Sequence, residues 1–157
     1  MFQRIQTLFI IGAIASCIAC FFLPFWVYTG ANPDYAYQVS LFAIKLISGN
    51  EQIIDLGTLP VLVIVSVSTI LSVVSLFYFK DRQIQIKINN YNVFLTILFI
   101  GTIYLWIPYM IESFLHTAVP HWKFGSILPL FTMVFLIIAN NFIKKDEKLV
   151  KSADRLR

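Results

Sequence analysis

A four-helix membrane bundle with both termini on the cytoplasmic side is the fold class this sequence predicts, and three observations predict it. Apolar residues make up 59% of the 157 residues and charged residues only 13%, against roughly 45–50% and about 25% in soluble domains. Four apolar stretches alternate with polar segments, and at about 1.5 Å rise per residue each reaches the roughly 30 Å thickness of a bilayer core. Ten of the basic residues fall on one side of those stretches: Arg4, Lys80, Arg82, Lys87, Lys144, Lys145, Lys148, Lys151, Arg155 and Arg157. Only Lys45 and Lys123 fall on the other. Cytoplasmic loops retain Lys and Arg, so the N-terminus, the Lys80–Lys87 loop and the tail are placed inside, and Thr29–Thr58 and Glu112–Lys123 outside. The spans take up about half of the residues, which leaves one membrane domain over 1–157 and no room for a second globular unit. The net charge of +4 reads as this topology signal and not as specific nucleic-acid recognition.

The first span is expected over Leu8–Tyr28. Arg4, the apolar run and Ile14-Ala15-Ser16-Cys17 imitate a lipoprotein signal, but Ile18 to Tyr28 stays apolar where a cleaved signal would give way to polar mature chain. An uncleaved span is the expectation. Cys17 and Cys20 lie three residues apart on one face among Ile14, Ile18 and Phe21, away from the helix start that lowers a thiol pKa, so they read as reduced packing residues. Gly12, Ser16 and Cys20 step by four, as do Ala15 and Ala19. In the second span, Leu59–Phe79, Ser68, Ser72 and Ser75 line one side. Small residues and hydroxyls hold helices together in lipid, so spans one and two are expected to pack tightly through Gly12, Ser16, Ser68 and Ser72.

Between these spans, Asn32-Pro33-Asp34 has turn chemistry and Tyr35–Ile47 is apolar and β-prone. Ser48-Gly49-Asn50-Glu51 reads as a turn before Gln52–Leu56, so the loop predicts a small β-hairpin on the outer helix ends. A short amphipathic helix over Gln38–Ile47 is the alternative, since the apolar pattern does not alternate cleanly.

Lys80–Lys87 reads as a short basic connector suited to lipid headgroups. The third span is expected over Val93–Ile111 and the fourth over Phe124–Ile143. Pro24, Pro60, Pro108 and Pro129 lie near outer span ends, where they terminate helices or open a vestibule. Phe25, Trp26, Tyr28, Trp106, Tyr109, Trp122 and Phe124 on the outer side, with Phe77, Tyr78, Phe79 and Tyr91 on the inner, read as headgroup-level anchors. His116 and His121 sit near Glu112 and Trp122. With one carboxylate nearby, they could join a metal or haem site only with help from the first loop, and solvated interface histidines are the simpler reading.

After span four, Lys144–Arg157 holds six basic and three acidic residues without Gly or Pro. A basic amphipathic helix is therefore expected at the cytoplasmic surface, with Leu149, Val150, Ala153 and Leu156 on one face and Glu147 four residues before Lys151. A stop-transfer cluster accounts for the lysines nearest the membrane and leaves the distal residues unexplained.

The start Gln3-Arg4-Ile5-Gln6-Thr7-Leu8 and the close Phe142-Ile143-Lys144-Lys145-Asp146-Glu147-Lys148-Leu149-Val150-Lys151-Ser152-Ala153-Asp154-Arg155-Leu156-Arg157 resemble the bacterial four-span family catalogued as domain-of-unknown-function family 4293. The resemblance covers the whole chain. It implies a bacterial inner-membrane protein and an ending, Asp154-Arg155-Leu156-Arg157, like that of the family, and no activity.

Function classes separate on what the spans lack. Transport of charge needs an ionisable partner within the membrane, and no span carries one away from its ends. Catalysis needs a convergent acid, base, nucleophile or metal, which only Glu112, His116 and His121 approach. The expectation is a non-catalytic subunit or assembly factor that requires no cofactor. It would pack against a larger membrane complex and dock a partner or anionic surface through Lys148, Lys151, Asp154, Arg155 and Arg157. A small transporter or channel is the alternative, and haem- or metal-dependent electron transfer a more distant one.

Overall fold

A computed structural model describes residues 2–29, 36–46, 53–54, 58–79, 81–114 and 119–154. The chain is mostly helical, with four helices long and apolar enough to cross a membrane and one small antiparallel sheet. Helix α1 runs over Phe2–Phe22, α2 over Leu59–Phe77 and α3 over Arg82–Gly101. A π-helical turn, Thr102–Trp106, joins α3 without a break to α4, Ile107–Phe114. A 3₁₀ turn, Phe124–Ile127, leads into α5, Leu128–Asp154. The neighbours in the bundle are α1 with α2, α2 with α3, α3 with α5, and α5 with α1.

Strands β1 (Trp26–Thr29), β2 (Ala36–Val39), β3 (Ile44–Leu46), β4 (Ile53–Ile54) and β5 (Val119–Trp122) form a sheet in the order β4-β3-β2-β1-β5. The sheet lies at one end of the bundle, here the sheet end; Phe2, Arg82 and Asp146 lie at the other, here the tail end. The hairpin expected in the first loop is thus part of a larger sheet. Its tight turn falls at Ser40–Ala43, where the Ser40 amide and hydroxyl both donate to the Ala43 carbonyl at 3.1 and 2.8 Å. The expected turn at Ser48–Glu51 lies outside the described residues, though the strands on either side of it pair, Lys45 opposite Ile53.

The expected first span runs too long, because α1 stops at Phe22 and Trp26–Thr29 is strand. Pro24 has no N–H to continue a helix and disfavours helical backbone before it. The freed groups are taken up across the sheet end: the Phe25 amide donates to Val39 O at 2.9 Å, Lys123 to Phe25 O at 3.2 Å and Gly125 to Pro24 O at 3.1 Å. Strand alternation then turns Trp26 and Tyr28 inward, 4% and 3% exposed. These two, and the fully buried Phe25, are core side chains and not headgroup anchors. Trp26 meets Tyr104 edge-on and Trp122 at 4.5 Å. The other aromatics placed at span ends, Phe77, Tyr78, Phe79, Tyr91, Trp106, Tyr109, Trp122 and Phe124, are exposed.

The third span begins earlier than Val93. Only a short stretch around Asp81 separates α2 from α3, so most of the expected basic connector is helix. The π turn inserts a residue's worth of rotation into this long helix, and beside it Pro60, Leu98, Gly101, Leu105, Trp106 and Tyr109 line an open groove of about 730 Å³. Helix α1 packs on α2 and, more extensively, on α5. A Cβ at Gly12 would lie 3.3 Å from the Phe135 ring, so Gly12 serves the α1–α5 contact. Phe9 stacks on Phe142 at 5.7 Å along the same contact.

At the sheet end Gly125 lies directly on Pro24, where an added Cβ would run into the Pro24 carbonyl oxygen. Gly125→Ala is expected to destabilise the folded protein by about 1–3 kcal/mol through overpacking. Gly101→Ala, with nothing within 4 Å of the new methyl, should stay within about 0.5 kcal/mol of the parent. Reversible unfolding of both variants in mixed micelles checks the contrast.

Candidate functional site: a polar seam inside the bundle

Four buried polar residues of α3, Gln85, Asn89, Asn92 and Thr96, recur at steps of four and three, the spacing of a single helix face. On α2, Ser68, Ser72 and Ser75 repeat the spacing and are likewise buried. The two faces meet. Ser68 Oγ donates to Asn92 Oδ1 at 2.6 Å, and Asn92 Nδ2 donates in turn to Ser68 O at 3.2 Å and to Ser72 Oγ at 2.6 Å. Ser72 Oγ donates back to Ser68 O at 2.9 Å, and Thr96 Oγ1 to Asn92 O at 2.8 Å. Toward the tail end, Ser75 Oγ donates to Asn89 Oδ1 at 2.7 Å and Gln85 Nε2 to Ser75 O at 3.0 Å.

The seam reaches the other helices through Cys17. Its sulfur lies 3.9 Å from Ser68 Oγ and 3.8 Å from Thr132 Oγ1, which brings α1, α2 and α5 together at one level. Cys17 and Cys20 are both buried free thiols. Between α3 and α5, Asn140 Nδ2 donates to Asn90 Oδ1 at 2.6 Å, and Arg82 forms an ion pair with Asp146, Nε to Oδ2 3.0 Å, which closes α3 onto α5 at the tail end. From Cys20 toward the sheet the interior turns apolar, with Val61, Val65, Phe99, Ile103 and Leu128.

Chemically the seam is an amide and hydroxyl ladder. An amide without a partner in hydrocarbon costs several kcal/mol, so an Asn on an apolar helix must find its partners on a neighbour. Asn92 does so with its oxygen and both amide hydrogens. At the tail end the match is incomplete: Gln6, 1% exposed, has no partner for either amide atom, and Gln85 Oε1, Asn89 Nδ2 and Asn140 Oδ1 are also unpaired. Among the described residues no three of His, Cys, Asp and Glu gather as a metal group.

Of the residues singled out for helix packing, Ser68 and Ser72 are at the centre of this network. Ser16 Oγ instead donates to its own helix, to Gly12 O at 3.0 Å. The amides of α3 lie where its inner half reads as a loop, although the step of four and three from Gln85 to Thr96 is the signal for them, and Gln6 precedes the expected first span. Of the tail residues, Lys148 is exposed on α5, and Lys151 and Asp154 belong to the same helix. Arg155, Arg157 and His116 lie outside the described residues. His121, exposed on β5, places Nε2 at 3.2 Å from Thr29 Oγ1, and Glu112 is exposed on α4.

At the sheet end Tyr28 has a buried hydroxyl without a partner. Burial pushes its phenol up to about 12.

The profile of the family described as Domain of unknown function (DUF4293) matches residues 2–156, and the chain belongs to that family. No curated protein matches it.

Two predictions follow the geometry. In a double-mutant cycle of Ser68→Ala and Asn92→Ala, unfolding in detergent should return a coupling of about 0.6–1.7 kcal/mol, the range of interhelical hydrogen bonds in a membrane protein. Tyr28 ionises more readily in the unfolded chain, so its contribution is constant below about pH 10 and is lost as pH rises toward the folded value of about 12. Tyr28→Phe is expected to remove that alkaline loss and, by deleting an unpaired buried hydroxyl, to leave neutral-pH stability unchanged or raised; unfolding followed between pH 8 and 12 measures both.

Proposed function

We propose that this chain is a non-catalytic protein of a bacterial inner membrane, with both termini in the cytoplasm, that acts as a subunit or assembly factor of a larger membrane complex. Its cytoplasmic tail docks a partner protein or an anionic surface. The observation that carries this reading is the continuity of α5, which runs unbroken from Leu128 to Asp154. Its 27 residues extend about 40 Å at about 1.5 Å each, beyond a hydrocarbon core of about 30 Å. The last turns therefore form a rigid projection that carries Lys148 and Lys151, with Leu149 and Val150 exposed at 50% and 40%. The ten-to-two distribution of basic residues supports the cytoplasmic placement of that end. The Arg82–Asp146 pair supports its rigidity, since it ties the base of the projection to α3.

A small transporter is the second reading, and one observation favours it. Gln6, Gln85, Asn89 and Asn140 are each buried toward the tail end with an unpaired amide atom, the kind of group a polar solute site requires. Against it, Asn92 and its serines close the seam above them with hydrogen bonds to one another. The ionisable side chains near that level, Arg82 and Asp146, are paired with each other and so offer no uncommitted charge to a solute. Substrate-dependent flux into liposomes holding only this protein would establish the transporter reading.

Deletion of residues 148–157 is expected to leave membrane insertion and thermal stability intact while removing whatever protein co-purifies with the full chain in mild detergent. An unchanged set of co-purifying proteins contradicts docking by the tail.

A further inference from the structure

Two contacts set the register of the antiparallel helices α3 and α5: Asn90 with Asn140 at 2.6 Å and Arg82 with Asp146 at 3.0 Å. Counting along both helices from the Asn90–Asn140 contact brings Lys87 level with Ile143, next to Lys144, and Arg82 level with Lys148. The three lysines are exposed, and Lys87 and Lys144 each lie one helical turn toward the tail end from the Asn90–Asn140 contact that joins α3 to α5. Of the carboxylates beside these lysines on α5, Asp146 is committed to Arg82 and Glu147 has a partner of its own. Among the described residues no ion pair occupies Lys87, Lys144 or Lys148.

The same register continues toward the sheet end with a change of chemistry. Phe94 comes within one residue of the level of Ile137 and Ile97 within one of Val134, and all four are exposed, at 60%, 42%, 51% and 45%. A cationic cleft thus sits directly above an apolar strip on one outward face. Asn90, exposed beside the cleft, adds amide donors at the junction.

We propose that this cleft binds the phosphate headgroup of an anionic membrane lipid, with Lys87, Lys144 and Lys148 around the phosphate and the acyl chains along Phe94, Ile97, Val134 and Ile137. Uncompensated cations between helices at headgroup level attract anionic lipids, each by about 1 kcal/mol. A soluble phosphate would satisfy the lysines and leave the apolar strip unused, so the source of the phosphate is a lipid. The site rests on the reading that this end of the bundle lies at a membrane leaflet, and it does not depend on tail docking.

Native mass spectrometry of the full-length protein in mild detergent tests the site, with phosphatidylglycerol, cardiolipin, phosphatidylcholine or inorganic phosphate added in turn. Phosphatidylglycerol and cardiolipin adducts are expected to persist where phosphatidylcholine adducts do not. The double variant Lys87→Gln/Lys144→Gln should bind phosphatidylglycerol roughly thirtyfold more weakly, the combined effect of two such cations. Lys45→Gln/Lys123→Gln, at the sheet end, should bind it as the parent does. Equal binding by the Lys87/Lys144 variant, equal loss in both variants, or displacement of the lipid by inorganic phosphate at matching concentration overturns the site. Because the assay uses isolated protein, its failure leaves the partner-docking reading standing, and a truncated tail that loses no partner leaves the lipid site standing.

Discussion

Asn92 is held by two serines of the neighbouring helix, and the arrangement of the bundle follows from the need to hold it. In water, apolar faces drive helices together; in lipid that drive vanishes, because the surroundings are as apolar as the side chains. What remains is close packing and the penalty for leaving a polar group unpaired. The four-and-three spacing of Gln85, Asn89, Asn92 and Thr96 gives α3 one polar face, and the serines of α2 are its complement. Cys17 then links that pair to α1 and α5. A seam of neutral groups specifies neighbours and register without the larger cost of burying a charge.

The two ends of the bundle are closed by different means. At the sheet end, Pro24 stops α1 and the released backbone groups pair with β2 and with the segment before α5, so both loops belong to one sheet. Pro120 fits the edge of that sheet. It sits opposite Tyr28 on β5, one residue from the Val27–His121 pair, where its missing N–H points away from β1 and limits pairing with a further strand. At the tail end, closure relies on side chains, the Asn90–Asn140 and Arg82–Asp146 pairs, and several buried amides remain unmatched.

Helix number and the small sheet were legible because they rest on strong local signals: long apolar runs for the helices, and a β-prone segment bracketed by turn residues for the first loop. The β5 strand was not legible, since Val119-Pro120-His121-Trp122 becomes a strand only by pairing with β1 across 92 positions of sequence, as in the Thr29–His121 contact. The start of α3 was missed for a physical reason. Hydropathy discounts Gln85, Asn89 and Asn92, although a helix that turns those residues to its partners and leaves Ile84, Tyr91 and Phe94 exposed is long and apolar enough to cross a membrane. Trp26 and Tyr28 misled in the opposite sense, because a ring near a span end has the same composition whether it lies at headgroups or packs under a sheet. The packing role of Ser68 and Ser72 could be read from spacing alone; their partner, Asn92, could not be until α3 was extended.

The functional reading joins these parts: a bundle with a neutral, largely self-satisfied interior and a single helix that outruns it. Such a molecule is suited to holding position and presenting a surface, and the cationic cleft between α3 and α5 would anchor it at the leaflet from which the tail projects. All of this depends on the two termini sharing one compartment. Labelling of single cysteines introduced at Phe2 and Ser152, in a background without Cys17 and Cys20, with a membrane-impermeant thiol reagent measures that directly. The account predicts that both react in inverted inner-membrane vesicles and neither in intact spheroplasts; reaction of the two from opposite faces contradicts it.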